Sequence, residues 1–374
     1  MRSCGFDLNK PMLVNELDTP ALIVDLDIME ANLARVANYA SQHGLKLRPH
    51  TKTHKSTMLA KRQIALGAVG LAVAKVTEAE VMLGAETSDL LIAYPVVGAE
   101  KLAKLANLAK RTQITVALDS LEVALPISAV AVEHGVEIGI LVEIDVGLGR
   151  VGVSPEKGLA LAQGIAALPN LRFRGITFYP GHIKHPEEPA GAANLAALSE
   201  TVGKLVAEFS AAGLKPEVVS GGSTPALFHS HEIAGITEIR PGTYIFNDLN
   251  TVSSGACALE ECAASILVTV VSNVRSGHMI VDGGSKTFSS DRLTSGEVGH
   301  GRLMEAPGAL FHKMNEEHGF VDLSKAGREF SVGEKVRIIP NHICVAVNLH
   351  ENVYGVRNGT VEEVWKVEGR GKLQ

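Results

Sequence analysis

Leu45-Lys46-Leu47-Arg48-Pro49 leads directly into His50-Thr51-Lys52-Thr53-His54-Lys55, so a strand-like run ends in a cluster of cations and imidazoles. A lysine at such a strand end, packed among positive neighbours, has its ammonium form disfavoured by desolvation and like-charge repulsion. The neutral amine of Lys52 is then available as a nucleophile, which is the setting of a Schiff-base lysine. A basic, solvated loop is the alternative reading, and the rest of the chain decides between the two.

Working outward, Ala21–Leu26 reads as a strand, and an amphipathic helix opens at Asp27 and runs to about His43. Strand-like runs are then expected at Leu45–Pro49, Gly70–Ala74, Leu90–Tyr94, Ile114–Leu118, Ile138–Ile144, Gly175–Tyr179, Glu217–Ser220 and Ile236–Arg240. Ala- and Leu-rich segments with helical spacing lie between them, such as Val76–Gly84, Glu100–Arg111, Ser154–Ala167 and Gly191–Gly213. Eight strands alternating with helices predict an α/β fold of the closed, TIM-like (β/α)8 kind, which typically takes ~250 residues. A doubly wound open sheet would also alternate, but no G-x-G-x-x-G turn follows the first strand.

After about Asn250 the texture changes. β-Branched runs at Ile266–Val271, Met279–Val281, Lys335–Ile339, Val345–Leu349 and Val361–Val367 are joined by Gly-, Asn- and Ser-rich turns, which predicts an all-β domain. The expected boundaries are therefore 20–250 for the barrel and 1–19 with 251–374 for the β domain.

The bulk properties exclude several classes. With 35 Lys+Arg against 41 Asp+Glu, a net charge of -6 gives no sign of nucleic-acid or anionic-membrane binding. No apolar run reaches the roughly 18 to 20 residues that span a bilayer, and Met1–Asp7 lacks the apolar core of a signal peptide. Four cysteines, Cys4, Cys257, Cys262 and Cys344, are too few and scattered for a disulfide framework, which predicts a cytoplasmic setting. Cys257 and Cys262, unaccompanied by histidine, are expected to be buried apolar residues.

In a barrel of this kind the reactive groups gather where strands end and lead into helices. Past the sixth strand, Tyr179-Pro180-Gly181-His182 supplies a phenol and an imidazole. Past the seventh, Ser220-Gly221-Gly222-Ser223-Thr224-Pro225 offers two glycines and two hydroxyls opening a helix, a pattern that lets backbone N–H groups approach a phosphate. Past the eighth, Arg240-Pro241-Gly242-Thr243-Tyr244 adds a glycine and further hydroxyls. A phosphate cradle opposite a strand-one lysine is what pyridoxal 5′-phosphate requires. Arg150 either reaches toward the cofactor ring or pairs with Glu143 or Asp145, and Asp119-Ser120 reads as a helix N-cap.

A second constellation lies in the β domain, at Pro340-Asn341-His342-Ile343-Cys344. In an extended segment His342 and Cys344 present a nitrogen and a sulfur on one face, a ligand set suited to zinc. A buried free cysteine beside a hydrogen-bonded histidine is the simpler alternative.

Taken together, Arg48–Lys55, Glu143–Val153, Tyr179–His182, Ser220–Thr224, Arg240–Tyr244 and Pro340–Cys344 followed by Asn348 resemble the D-threonine aldolase and D-serine dehydratase family of alanine-racemase-like pyridoxal-phosphate enzymes. The resemblance spans nearly the whole chain. It implies a homodimer with pyridoxal phosphate on Lys52, a divalent metal (Zn, Mn or Mg) on His342 and Cys344, and a D-3-hydroxy amino acid substrate. Either His50 or a metal-held hydroxide is implied as the base for retro-aldol cleavage to glycine and an aldehyde. Arg150, Tyr179, His182, Gly221, Gly222, Ser223, Thr224, Gly242, Thr243 and Tyr244 are implied around the cofactor. The aldolases commonly carry Asp where Cys344 stands, so a dehydratase acting on D-serine or D-3-hydroxyaspartate is the second expectation, and an amino-acid racemase a more remote third.

Overall fold

The computed structural model describes residues 12–374, so Cys4 and the rest of residues 1–11 lie outside the described part. The chain divides into two compact units: residues 33–244 with 254–256 and 371–374, and residues up to 32 with 245–253 and 257–370.

The first unit is built on eight parallel strands, Lys46–Leu47, Leu71–Val73, Asp89–Ile92, Gln113–Leu118, Ile138–Ile144, Leu171–Phe178, Val218–Gly221 and Glu238–Ile239. From the second strand onward each pairs with the next in sequence, and the eighth pairs with the first. The ring closes between strands one and two, where Ala72 N–H donates to Pro49 O (2.9 Å) and Thr51 N–H to Ala72 O (2.8 Å). Such strands are covered on both faces, so they read as uninterrupted apolar runs; every residue of Ile138–Ile144 is buried.

Inside the ring, Ala72, Leu91, Leu141 and Val218 pack together. Beside them runs a charged layer. Arg48 pairs with Asp89 (3.0 Å) and Glu238 (2.8 Å), Arg174 reaches Asp89 (3.3 Å) and Thr115 (2.7 Å), and Ser220 donates to Glu238 (2.6 Å). Buried charges in this number persist only because each has an opposite partner and further hydrogen bonds.

α-Helices follow the first six strands: Thr57–Ala65, Val76–Met82, Ala99–Ala109, Leu121–His134, Pro155–Ala166 and Pro189–Ala211. The helix expected after strand seven is instead a 3₁₀ segment, Leu227–Glu232, whose buried Leu227 and Ser230 recur at three-residue spacing.

The second unit is a mostly antiparallel sheet. Its order runs Met12–Leu13, Thr360–Lys366, Asn352–Arg357, Ala21–Asp25, Ala264–Ser272, His278–Val281, Gly319–Asp322 and Leu310–Met314, with Lys335–Pro340 and Gly301–Leu303 branching from Ala264–Ser272. Two expectations are corrected here. Ala21–Asp25, assigned by the sequence to the barrel side of a boundary at 20, pairs with Ala264–Leu267 and Val353–Val356 in this sheet. Val345–Leu349 is not a strand but part of the helix Ile343–Leu349, because Ile343, Ala346 and Val347 are buried at helical spacing.

Candidate active site

From Leu47 to Ser56 every residue is buried except Lys52. The expected crowding of positive charge is partly relieved, since Arg48 is spent on Glu238 and Asp89 within the barrel. Thr51 Oγ1 donates to Glu78 Oε1 (2.7 Å), while Glu78 Oε2 accepts from Ala74 N–H (3.1 Å), and burial raises the Glu78 carboxyl. His54 Nδ1 accepts from Ser56 N–H (3.1 Å), which leaves the proton on Nε2 to face Gln63 Oε1 (3.1 Å). Burial pushes this imidazole down to about 4. Gln63 then donates to the Tyr244 hydroxyl (3.0 Å). Packed on all sides, this loop holds up one amine, and the desolvation expected for Lys52 is corrected: its side chain is exposed.

His50 Nδ1 accepts from the backbone N–H of Lys52 (3.4 Å). Burial, then the charges of Lys52 and Arg240, hold His50 well below its ordinary range, so it is neutral near pH 7. Tyr179 gathers the cations above it: Lys52 Nζ is 6.0 Å from its ring centroid and the Arg150 guanidinium 5.0 Å. Arg150 is exposed and stacks on this ring; the buried ion pair with Glu143 or Asp145 weighed above does not form. Asp145 Oδ1 instead accepts from Gly147 N–H (3.0 Å) and Gly149 N–H (3.1 Å), which together hold its carboxylate low. Of the pair read as an N-cap, Ser120 stands at the N-cap of Leu121–His134 without a side-chain hydrogen bond, whereas Asp119 Oδ2 accepts from Gly152 N–H (3.0 Å). Gly147 has φ +114, and a Cβ there would sit 3.4 Å from His182 Nε2, so His182 closes the strand-six side against this loop.

The loops after strands seven and eight are joined by Arg240 N–H to Gly221 O (3.1 Å). Arg240 is half-buried and donates to Thr177 and Ser220 (2.6 Å each) and to Phe178 O (3.3 Å). Gly221 has a structural reason: a Cβ would meet the Phe178 ring at 2.3 Å. Gly222, at φ +98, provides the turn itself. Gly242 leaves room for His50 O and Thr53 Oγ1, each 3.0 Å from where a Cβ would stand. Ser223 Oγ is buried with no hydrogen-bond partner, the kind of orphaned donor that a phosphate oxygen satisfies. Thr224 is buried beside it. The Tyr244 hydroxyl, by contrast, is engaged with Gln63.

In the β unit His342 caps the helix Ile343–Leu349 in extended conformation, and Cys344 lies in its first turn rather than on a strand. The two still meet, because the imidazole hydrogen-bonds Cys344 as well as Asp248, whose Oδ2 is 3.1 Å from His342 Nδ1. Burial would lower His342, but the Cys344 and Asp248 charges override it and carry the imidazole up to about 11. Asp248, fully buried, also accepts from Ile343 N–H (3.0 Å) and from Thr251 N–H (2.8 Å). Nitrogen and sulfur donors with a carboxylate orienting the ring suit a zinc-like ion with open positions. Sequence reasoning missed Asp248, Glu78 and Gln63, each a single polar residue whose partner lies far away in sequence or one helix turn off any motif.

The family model "Alanine racemase, N-terminal domain" matches residues 24–249, and a serine dehydratase domain model matches residues 263–356. The D-threonine aldolase of Arthrobacter sp is 35% identical, the match covering 95% of this chain and 93% of the relative. The crystal structure of D-threonine aldolase from Filomicrobium marinum superposes with a TM-score of 0.90 at 33% identity, covering 97% of this chain and 99% of that one. The D-threo-3-hydroxyaspartate dehydratase of Delftia sp. (strain HT23) is 34% identical over 88% of this chain and 91% of the relative. A D-threo-3-hydroxyaspartate dehydratase was solved as a cysteine-to-alanine mutant in the metal-free form (TM-score 0.87, 32% identity, 95% of this chain and 98% of that one).

Proposed function

The chain belongs to the D-threonine aldolase and D-serine dehydratase family of the alanine-racemase fold, and from that premise we propose that it is a lyase acting on D-3-hydroxy amino acids, cleaving D-threonine-like substrates to glycine and an aldehyde. The observation that carries this reading is the isolated exposure of Lys52 on an otherwise buried loop, facing Tyr179 and Arg150.

In the barrel unit, Lys52 would hold pyridoxal 5′-phosphate by its aldehyde. Gly221, Gly222, Ser223, Thr224, Gly242 and Thr243 would hold the phosphate, with Tyr244 positioning this wall through Gln63. In the β unit, His342 and Cys344 would hold a divalent metal. When bound, the cofactor supplies an electron sink for charge at the substrate α-carbon, and the metal a Lewis acid for the 3-hydroxyl. Tyr179 and Arg150 would orient the cofactor ring, and His182 walls the site on the strand-six side. His50, uncharged at working pH, accepts the proton of the 3-hydroxyl when the Cα–Cβ bond breaks. Asp248 fixes the His342 ring so that one nitrogen remains directed at the ligand. A homodimer is proposed with it.

The His342 and Cys344 pair favours a second reading, β-elimination by a D-serine or D-3-hydroxyaspartate dehydratase, in which Lys52 removes the α-proton. One assay separates the two: protein loaded with pyridoxal phosphate is incubated with D-threonine and D-serine, with and without a chelator. Glycine plus acetaldehyde supports the aldolase, and a 2-oxo acid plus ammonia the dehydratase. Activity that survives both chelation and Lys52→Ala overturns the proposal. Among the described residues no helix is long and apolar enough to cross a membrane.

A further inference from the structure

Cys257 and Cys262 take no part in the reading above. Cys257 is half-buried and Cys262 buried, both are free thiols, and they hydrogen-bond each other. The intervening chain is folded back on itself by the 3₁₀ turn Leu259–Glu261, where Cys262 N–H donates to Leu259 O (3.1 Å) and Ala258 N–H to Glu261 Oε2 (2.8 Å). Cys262 packs with Leu249 and Ile339 under Val252, Leu259 and Leu293. Four of these residues, Leu249, Val252, Leu259 and Leu293, also line a cavity of about 410 Å³, which therefore borders the side chains that cover Cys262.

We propose that Cys257 and Cys262 are a modification site, a dithiol that a peroxide oxidises to a disulfide within the β unit. The Cys257 sulfur, as thiolate, attacks one peroxide oxygen; the O–O bond breaks, hydroxide leaves, and Cys257 becomes a sulfenic acid. The Cys262 sulfur then attacks the Cys257 sulfur; the S–O bond breaks and the second oxygen leaves as water, taking up the proton given up by Cys262. Two thiols lose two electrons and two protons, and one peroxide becomes two waters. The hydrogen bond from Cys262 lowers Cys257, while the same bond and burial raise Cys262, which fits the order of attack.

The site has a readable connection. Cys257 also hydrogen-bonds Thr251, whose N–H donates to Asp248 Oδ1 (2.8 Å) and whose hydroxyl lies 2.7 Å from Asp248 O and 3.1 Å from Oδ1. The other oxygen of Asp248 holds His342 and Ile343. Closing the disulfide takes the Cys257 sulfur away from Thr251 and loosens Asp248, so oxidation weakens metal retention; this last step rests on the reading of His342 and Cys344 as metal ligands.

The test treats purified full-length protein with hydrogen peroxide and maps unreduced peptides. The expected product is a Cys257–Cys262 cross-linked peptide lighter by about 2 Da, reversed by a dithiol reductant. The cross-link should be absent from Cys257→Ser and Cys262→Ser and kept in Cys344→Ser. Oxygen accumulating on Cys257 without a cross-link, or two thiols still labelled by alkylation, overturns the proposal. In a parallel arm zinc is titrated into oxidised and reduced protein, and a roughly tenfold weaker affinity of the oxidised form is expected. Unchanged affinity with the cross-link formed overturns the link through Asp248. Zinc that binds neither form overturns the metal reading of the preceding subsection and leaves the dithiol standing.

Discussion

Replacing Asp248 with asparagine tests the β-unit site directly. The carboxylate is fully buried and accepts from His342 Nδ1, Ile343 N–H, Thr251 N–H and Thr251 Oγ1 at 2.8 to 3.1 Å. One oxygen faces His342 and Ile343 and the other faces Thr251. An amide keeps one of those oxygens and turns the other into an NH₂, which sets donor against donor on one side whichever way it is oriented. The lost interaction is charge-assisted, and the backbone N–H is left unpaired, so we predict a loss of about 2–3 kcal/mol in chelated protein. With the ring no longer held, metal affinity should fall by about 10–100-fold. Urea unfolding in chelator measures the first effect and zinc titration calorimetry the second. Wild-type stability together with wild-type affinity would refute the reasoning.

Four further outcomes are expected. Because Cys344 and Asp248 keep His342 protonated up to about 11, zinc binding near pH 7 should release about one proton, read by calorimetry in buffers of different ionisation enthalpy; no release would contradict the pairing. His54 has a folded value of about 4 against 6.5 unfolded. The unfolded chain therefore takes the proton first, and His54's contribution, full above pH 6.5, falls by roughly 1.4 kcal/mol per unit between 6.5 and 4. A His54→Gln variant should show a shallower acid slope in unfolding titrations. Arg48→Met leaves the buried Glu238 without its cation and Asp89 with Arg174 alone, and a loss of about 3–5 kcal/mol is expected in denaturant unfolding. Gly221→Ala drives a methyl into the Phe178 ring, costing about 1–3 kcal/mol, visible as a lower Tm in the absence of cofactor.

The barrel was legible because its strands are covered on both faces. Ile138–Ile144 is apolar without a break apart from Gly139 and Glu143, and the observed strand has the limits its sequence suggests. That Lys52 lies just past the first strand of the ring was legible because that strand is bracketed by its own apolar run and Pro49. What stayed hidden depends on partners distant in the chain. Arg48, Asp89, Arg174 and Glu238 each look like an ordinary surface charge, and only closing the ring turns them into one network. Ala21–Asp25 reads as the start of an alternating series, yet its neighbours in the sheet are strands from the far end of the chain. The run Val345–Leu349 has the composition of a strand, but buried Ile343, Ala346 and Val347 impose a helical period. That the Ser223 hydroxyl is buried without a partner depends on how its loop folds, which no local pattern announces.

The placement of Ala21–Asp25 has a consequence for biosynthesis. This ribbon leaves the ribosome early, whereas the segments that flank it, Ala264–Ser272 and Asn352–Arg357, are translated only after the whole barrel sequence. Until then the apolar Ala21, Leu22, Ile23 and Val24 travel with both edges open, a template for pairing with a neighbouring nascent chain. The growing polypeptide thus carries an open-edged apolar strand until residues 264–272 and 352–357 have been synthesised.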